Sequence, residues 1–500
     1  MKKTVVGSGL FPLLLIASAM GEEPQVALKP LSIGALQEFG ILGSGHFGKN
    51  ASGFTDEWVD HFGAFVTQSG DVSDKLAFDV GLGGIFQFEK PENVSPAWGG
   101  TQYKDFFMGP TVADLKYKIG PADNPFATLQ FGLFSYKYSS ANNLGEYLFR
   151  SGPYPTFLWT GGYALLNNTS TGMQGLRVNV SRIPHLDVDL FLTSETFVPP
   201  LYDFSLGGVA KYDIGNGMLT LGGGFQLKRL ISLHDYRTTV KSDANSYFTE
   251  GGVTYTGNVD YYLGQKTFFD KAGAAATLKG DAAAATADKA KSDSLQNTIA
   301  FLKGRLADTA TVKPALSYYT TAGTLLMGMF TFDPKKIINS ELFGAEDLKL
   351  YGEVSVLGWK NYPIFYEKRT DRMPFMLGFN LPGFKVLDLI SLEWEYFHSP
   401  WINSFSELGQ SNGATPDLPN GQDDWSSKNA YNDVAGKDNT SWSLLVKKTV
   451  AHSITISGQV ARDHVRMPSF QSWFGPGLDP NEALSTSKDW YWMLQFAFGI

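Results

Sequence analysis

The residues of this chain that could do chemistry are polar side chains set at every second position of otherwise apolar segments. They are Asp79, Asp114, Lys116, Arg177, Asn179, Asp187, Asp189, Gln226, Lys228, Lys349, Glu353, Glu393, Glu395, Lys447, Gln459 and Asp463. A β-strand turns successive side chains to opposite faces, so each of these segments has one oily face and one polar face. Charges of both signs are costly when buried dry and unpaired, so the polar faces imply water, mutual pairing, or both. Bond-making chemistry has no comparable support. His452 and Ser453 are neighbours, but adjacent strand residues point apart, and a nucleophile needs its base within hydrogen-bond reach. No His-Glu-x-x-His helix or Walker-type glycine loop occurs, and the seven histidines are scattered. We therefore read the chain as a non-enzyme without metal or cofactor.

The elements that position these groups are strands of about ten residues, joined alternately by short turns and long connections. Trp442, Leu444 and Val446 lead through residues 449–452 to Ile454, Ile456 and Val460. Phe375, Leu377 and Phe379 lead through Pro382-Gly383 to Ile390, Leu392, Trp394 and Tyr396. The run 318–332 turns at Asp333-Pro334-Lys335-Lys336 into Leu348, Leu350, Val354 and Val356. The run 206–212 turns at Gly215-Asn216-Gly217, a strong hairpin signal, into Leu219, Leu221, Phe225 and Leu227. Earlier strands are expected at 57–67, 75–88, 107–119, 126–138, 173–181 and 187–194. A closed barrel with both ends on one side needs an even number, so one more strand is placed within 31–48. The expectation is an all-β, transmembrane, antiparallel up-and-down barrel of about 16 strands (roughly 14–18).

Both ends of the chain agree. Trp490, Trp492, Leu494, Phe496, Phe498 and Ile500 alternate with Tyr491, Met493, Gln495, Ala497 and Gly499, a strand with one face made only of large apolar groups. The segment resembles the final strand of Gram-negative outer-membrane β-barrels of the porin-like superfamily, which usually closes on an aromatic residue; here the last residue is Ile500. That resemblance implies a cell outer-membrane location. It also implies outer-membrane lipid and the barrel-assembly machinery as partners, with the last strand as the sorting signal. At the other end, Met1-Lys2-Lys3, an apolar stretch to Ile16 and the small residues Ala17-Ser18-Ala19-Met20-Gly21 read as a cleaved secretory signal over 1–21. The apolar run is shorter than the roughly 20 residues needed to span a bilayer. The chain has no cysteine, which excludes a lipid anchor on cysteine, disulfides and thiolate metal sites. Residues 22–500 carry no linker and read as one barrel. Its 14% aromatic content and 54 glycines suit interfacial rings and curved strands, and a net charge of -8 argues against nucleic acid.

The long connections fall on one side, which the resemblance makes extracellular. The largest, residues 234–313, holds an Ala- and Lys-rich stretch from Gly273 to Leu306 with Leu295, Ile299, Leu302 and Leu306 on one helical face. A helical excursion is expected there, as a cap, plug or arm, or packed on neighbouring loops. A second connection, Asn143 to Pro155, is more apolar than a solvated loop needs. Porins narrow their channels with an inward loop bearing charges, and by that likeness Glu146 and Arg150 would line a constriction. Side chains alone cannot fill so wide a barrel. The reading that follows is a porin-type channel for passive diffusion of small hydrophilic solutes, cation-preferring only weakly. The alternative is a closed or plugged barrel acting as adhesin, structural protein or outer-membrane enzyme. A homotrimer and a monomer both stay open.

Overall fold

The computed structural model describes residues 26–43, 57–89, 105–150, 171–194, 204–231, 247–256, 259–306, 324–338, 341–359, 368–397, 440–451, 453–462, 466–469, 477–482 and 490–499. The expected signal segment 1–21, Asp463 and Ile500 lie outside them, as do the side chains of Arg150, Lys228 and Leu306.

Sixteen strands form one closed antiparallel ring, with the two-residue strand Ala27–Leu28 appended to it. The first five are β1 (Ser32–Gly43), β2 (Glu57–Asp71), β3 (Leu76–Glu89), β4 (Asp105–Ile119) and β5 (Ala127–Tyr136). Next come β6 (Thr171–Val180), β7 (Leu186–Ser194), β8 (Phe204–Ile214), β9 (Leu219–Ile231) and β10 (Thr324–Phe332). The ring continues through β11 (Leu350–Val356), β12 (Phe375–Asn380), β13 (Leu389–Tyr396), β14 (Thr440–Val450), β15 (Ile454–Arg462) and β16 (Trp490–Gly499). Each strand pairs with its sequence neighbours, and β1 closes the ring on β16, with Ala35 opposite Phe498 and Phe39 opposite Leu494. Closure leaves no unpaired edge, which is what a β-structure without covering layers requires.

The alternation expected from sequence holds around the ring. Val80, Leu82, Phe131, Leu190, Leu221, Val354, Leu377, Leu392 and Phe498 are exposed on the outer face, while the polar residues between them point inward. On the outside of β12 and β13, Phe375, Trp394 and Tyr396 pack ring to ring, with centroids 5.4–6.3 Å apart. One end of the barrel carries tight turns, such as Gly215-Asn216-Gly217, where all three residues take positive φ. The other end carries the long connections. No helix among the described residues is long and apolar enough to cross a membrane.

The helical insertion is larger than the 273–306 stretch implied. Two antiparallel helices form a hairpin, α2 (Val259–Leu278) and α3 (Ala282–Leu306), following the single-turn α1 (Tyr147–Arg150). The expected stretch took in only the last turns of α2; its first part holds Tyr261-Tyr262-Leu263 and Phe268-Phe269, adjacent large residues that spread around the helix instead of forming one stripe. Ser292 of α3 bonds Asp270 of α2 at 2.5 Å, and Ile299 and Leu302 are buried at the base. Lys266 and Ser292 hold the Asp270 carboxyl below its ordinary range.

Curvature is set where strands meet glycine to glycine. Gly132 of β5 lies opposite Gly175 of β6, with φ of 127° and 151°. A Cβ on Gly132 would sit 2.1 Å from the Ala113 carbonyl oxygen of β4, whereas one on Gly109 meets nothing within 4 Å. Gly132→Ala is expected to cost about 1–3 kcal/mol and Gly109→Ala under about 0.5 kcal/mol. Thermal unfolding of the refolded barrels, read by the temperature at which the compact form on a denaturing gel is lost, checks the difference.

Candidate functional site

The connection after β5 is apolar where a loop in water would be polar, and it goes inward. In a ring of sixteen strands spaced about 4.8 Å apart and tilted, the backbone diameter is roughly 30 Å. Residues 137–149, at about 3.3 Å each, are long enough to cross it. They reach the inner faces of β11, β12 and β13, which lie roughly across the ring from β5.

Two carboxylates on that far wall hold the loop by its backbone. Glu393 accepts from three successive amides, Asn142 at 2.6 Å, Asn143 at 2.8 Å and Leu144 at 2.7 Å, and from the Tyr351 hydroxyl at 2.7 Å. Glu353 accepts from the Glu146 and Tyr147 amides at 2.7 and 2.9 Å and from the Tyr138 hydroxyl at 2.6 Å. Successive N–H groups converge on one anion only where the backbone takes an unusual turn. Gly145 and Glu146 supply it, with φ of 80° and 57°. A third carboxylate, Glu395, accepts from the Tyr147 hydroxyl at 2.7 Å. Asn142 completes the grip through its side-chain amide, 3.0 Å from Ser391 and 3.1 Å from Tyr351.

Packing makes the seat. Leu144, Tyr147, Leu148 and Phe149 are buried against Phe191, Val209, Leu325, Met327 and Met376 of the inner wall. Phe149 meets Tyr136, Tyr138 and Phe191 edge to face, with centroids 5.4–5.9 Å apart. Gly207 and Gly224 clear the wall for these rings and methyls: a Cβ there would lie 3.4 Å from Phe149 and 3.0 Å from Leu148. The base of the helical hairpin joins the same core through Tyr262, Ile299 and Leu302.

Glu146 is turned away from any solvent path. Its carboxylate accepts from the Tyr138 and Ser139 amides at 3.0 and 2.7 Å and so locks the loop's own first turn. Burial pushes its carboxyl up, against the pull of Lys137 and these amides, and burial likewise pushes the Lys137 ammonium down. The Tyr138 hydroxyl is driven well above its ordinary range by burial and by Glu353. The expectation of Glu146 as a constriction residue is thus replaced by a structural role.

Opposite in character is the inner wall from β3 to β8, near the short-turn end. There Asp79 takes Lys116 at 2.5 Å and the Ser69 hydroxyl, and Lys116 also approaches Asp114 at 3.8 Å. Gln130 links Asp114 at 2.6 Å to Arg177 at 3.2 Å. Arg177 pairs with Asp189 at 2.8 Å and lies 5.0 Å over the Tyr136 ring. Asn179 bridges Asp189 to Asp187, which Lys211 meets at 3.5 Å. Lys116, Arg177, Lys211, Asp79 and Asp187 keep a quarter to two-fifths of their side chains open, while Asp114 and Asp189 are buried behind them.

The polar residues read from sequence therefore divide into two groups. Glu353, Glu393 and Glu395 grip the loop; Asp79, Asp114, Lys116, Arg177, Asn179, Asp187 and Asp189 form the ladder. Gln226 and Gln459 are buried inward, Gln459 donating to Ser443 at 3.2 Å, and Lys349 pairs with Glu346 at 2.8 Å near the short-turn rim. Lys447 lies on the inward row of β14, opposite Ser457. Sequence reasoning missed Gln130, Asn142, Tyr138, Tyr147, Tyr351 and Lys211. Tyr351 was legible, since it shares the inward row of Lys349 and Glu353.

Comparisons with known proteins add little to this geometry. No family model matches the chain, and no curated protein matches it. Among solved structures, three variants of the Rhodopseudomonas blastica porin align over 95% of this chain and 100% of their own, at 8% identity and TM-scores of 0.40, 0.39 and 0.38. Values that low carry no argument, so the architecture rests on the strand pairing itself: a closed sixteen-stranded antiparallel barrel.

Removing Glu393 strands three buried amides at about 1–3 kcal/mol each. Glu393→Ala is therefore expected to release the loop while Glu395→Ala, which frees one hydroxyl, loosens it far less. Limited proteolysis of the folded barrels between residues 137 and 150 reads this directly.

Proposed function

We propose that this barrel is an outer-membrane channel for passive diffusion of small hydrophilic solutes. The observation that carries the reading is the ladder: half-open charges of both signs on the inner wall of a barrel too wide for side chains to fill. Charges so placed are supported by water, and a continuous file of them gives a hydrated solute a wall of donors and acceptors to follow. The pinned loop occupies the lumen beside β6 to β13 and so narrows the passage toward the ladder. On this reading the short turns face the periplasm, the long connections face outside, and the outer belt meets lipid.

Ion preference follows from which charges remain open. The carboxylates that would favour cations, Glu353, Glu393 and Glu395, are buried and bonded to loop donors. The open ladder has three cations against Asp79 and Asp187, so selectivity is weak and set by Lys116, Arg177 and Lys211. One observation favours a closed barrel instead: the helical hairpin shares a core with the loop. The two readings part in a planar bilayer. Refolded mature protein is expected to give discrete, salt-dependent conductance steps, and Lys116→Met with Lys211→Met is expected to move the reversal potential toward cations. Silence from correctly folded protein would establish the plugged barrel.

A further inference from the structure

The turns at the short-turn end are small and polar in most places. Those after β2 and β8 read Val72-Ser73-Asp74-Lys75 and Gly215-Asn216-Gly217, and those after β4 and β6 each expose one large apolar residue, Phe126 at 54% and Ile183 at 52%. Two others expose clusters. The connections 333–349, between β10 and β11, and 381–388, between β12 and β13, expose Ile337, Leu342, Phe384 and Val386, with Leu342 68% and Val386 72% open. The Phe343 and Phe384 rings pack across the two turns at 6.0 Å.

This surface is built, not frayed. Asp347 is fully buried between the turns and accepts from the Gly344 amide at 2.8 Å, Gly383 at 2.9 Å and Phe384 at 3.2 Å. Its carbonyl takes the Lys335 ammonium. Phe384 and Lys385 are held at φ of 50° and 62°, conformations that bulky side chains rarely adopt. Exposed apolar groups of this size on a rigid frame mark a surface that is covered.

We propose that these two turns are seated in the boundary between phospholipid headgroups and acyl chains, where they complete the apolar belt of the barrel on this side. Three observations select lipid as the occupant. First, the belt runs into the turns without a break: Leu377 and Leu381 on β12 and its edge, and Ile390 and Leu392 on β13, lead directly to Phe384 and Val386. Second, these are the shortest strands of the barrel, 7, 6 and 8 residues for β11 to β13 against 15, 14 and 15 for β2 to β4. At about 3.3 Å per residue and a tilt near 40°, they rise roughly 15–20 Å, less than the apolar band of about 25 Å that an outer-membrane barrel presents. Backbone pairing runs on at the long-loop end, where Leu357 donates to Arg372, but at this end it stops near Leu348 and Leu381. Third, most charges at the turns pair with one another, Lys335 with Asp333 at 2.8 Å, Lys349 with Glu346 at 2.8 Å and Lys448 with Asp388 at 3.1 Å, with Lys336, Glu341 and Lys385 outside these pairs. Thr449's amide, at 2.5 Å, and Lys448 hold the Asp388 carboxyl below its ordinary range. A surface neutralised in this way suits a lipid leaflet better than a charged protein partner. Lys336 and Lys385 are long enough to reach the phosphates above it.

The inference rests on the membrane reading, and a single experiment separates their failures. The chain has no cysteine, so single-cysteine variants take one nitroxide each. Labels at Leu342→Cys and Val386→Cys are compared with Val80→Cys on the outer face of β3 and Asn216→Cys in a polar turn, in vesicles of phosphatidylethanolamine and phosphatidylglycerol. The expected result is that 342 and 386 fall between 80 and 216, more relaxed by oxygen and better shielded from a water-soluble nickel complex than 216, which is relaxed by nickel. Nickel access at 342 and 386 with lipid exposure at 80 overturns this proposal and leaves the membrane barrel standing. Nickel access at 80 removes the membrane reading and this one with it. Shielding of 342 and 386 from both reagents shows a protein contact, whether a second copy or another partner, and also overturns the lipid seat.

Discussion

The structure depends on two buried carboxylates being held by main-chain amides instead of by cations. Glu353 and Glu393 are buried on the inner wall, where an unsatisfied charge is costly. Five backbone N–H groups of one short loop meet that need. The bargain is mutual, because the same amides would be orphaned inside the lumen without the carboxylates. Amides are fixed to the backbone, so satisfying them fixes the path of the loop itself. A lysine in their place could swing away, taking its charge with it, and would leave the loop's route undetermined. Gly145 is required for the turn, Gly207 and Gly224 for the seat, and the tyrosines to supply the remaining donors.

This arrangement divides the lumen into halves of different chemistry. On one side the loop builds an apolar, ring-packed core of the kind found inside soluble proteins, with hydroxyls and carboxylates sealed within it. On the other the ladder keeps its charges in mutual reach and partly open. Exposed ion pairs of this sort contribute little to stability, about 0.2–1 kcal/mol each. Their arrangement in a file therefore makes better sense as a surface for something passing than as a brace. A barrel braced on one side by a packed loop can leave its other wall wet.

Much of this was legible in sequence because a strand repeats every two residues. The row Lys349, Tyr351, Glu353 opposite Leu350 and Val354 identifies the inner face with no knowledge of the fold; fifteen strands follow from counting such rows, and the sixteenth from the even number that closure with both ends on one side requires. Partnership was not legible. Nothing about Glu393 in sequence indicates that its donors are peptide groups some 250 residues earlier, because main-chain donors leave no residue-type signature. Glu146 misled for the same reason: a charged residue in an inward loop looks like a lining residue until its own backbone is seen to claim it. The first part of the insertion's first helix escaped because its large residues, Tyr261-Tyr262-Leu263 and Phe268-Phe269, stand side by side and so draw no single apolar stripe.

The separations also constrain how such a chain can assemble. The hairpins of the barrel are local pairings, joined in several places by turns of only a few residues. The loop anchors join residues 206 to 251 positions apart, and closure joins β1 to β16 across nearly the whole chain. Contacts across long separations form late, since the chain entropy between them must be overcome first. Until β11 to β13 are in place, the loop after β5 lacks its carboxylates, and its apolar seat on β7, β8, β10 and β12 is incomplete. An incomplete barrel therefore exposes Leu144, Leu148 and Phe149 together with five unsatisfied amides. Loop seating and barrel completion are in this way a single event, because each supplies the groups that the other needs buried.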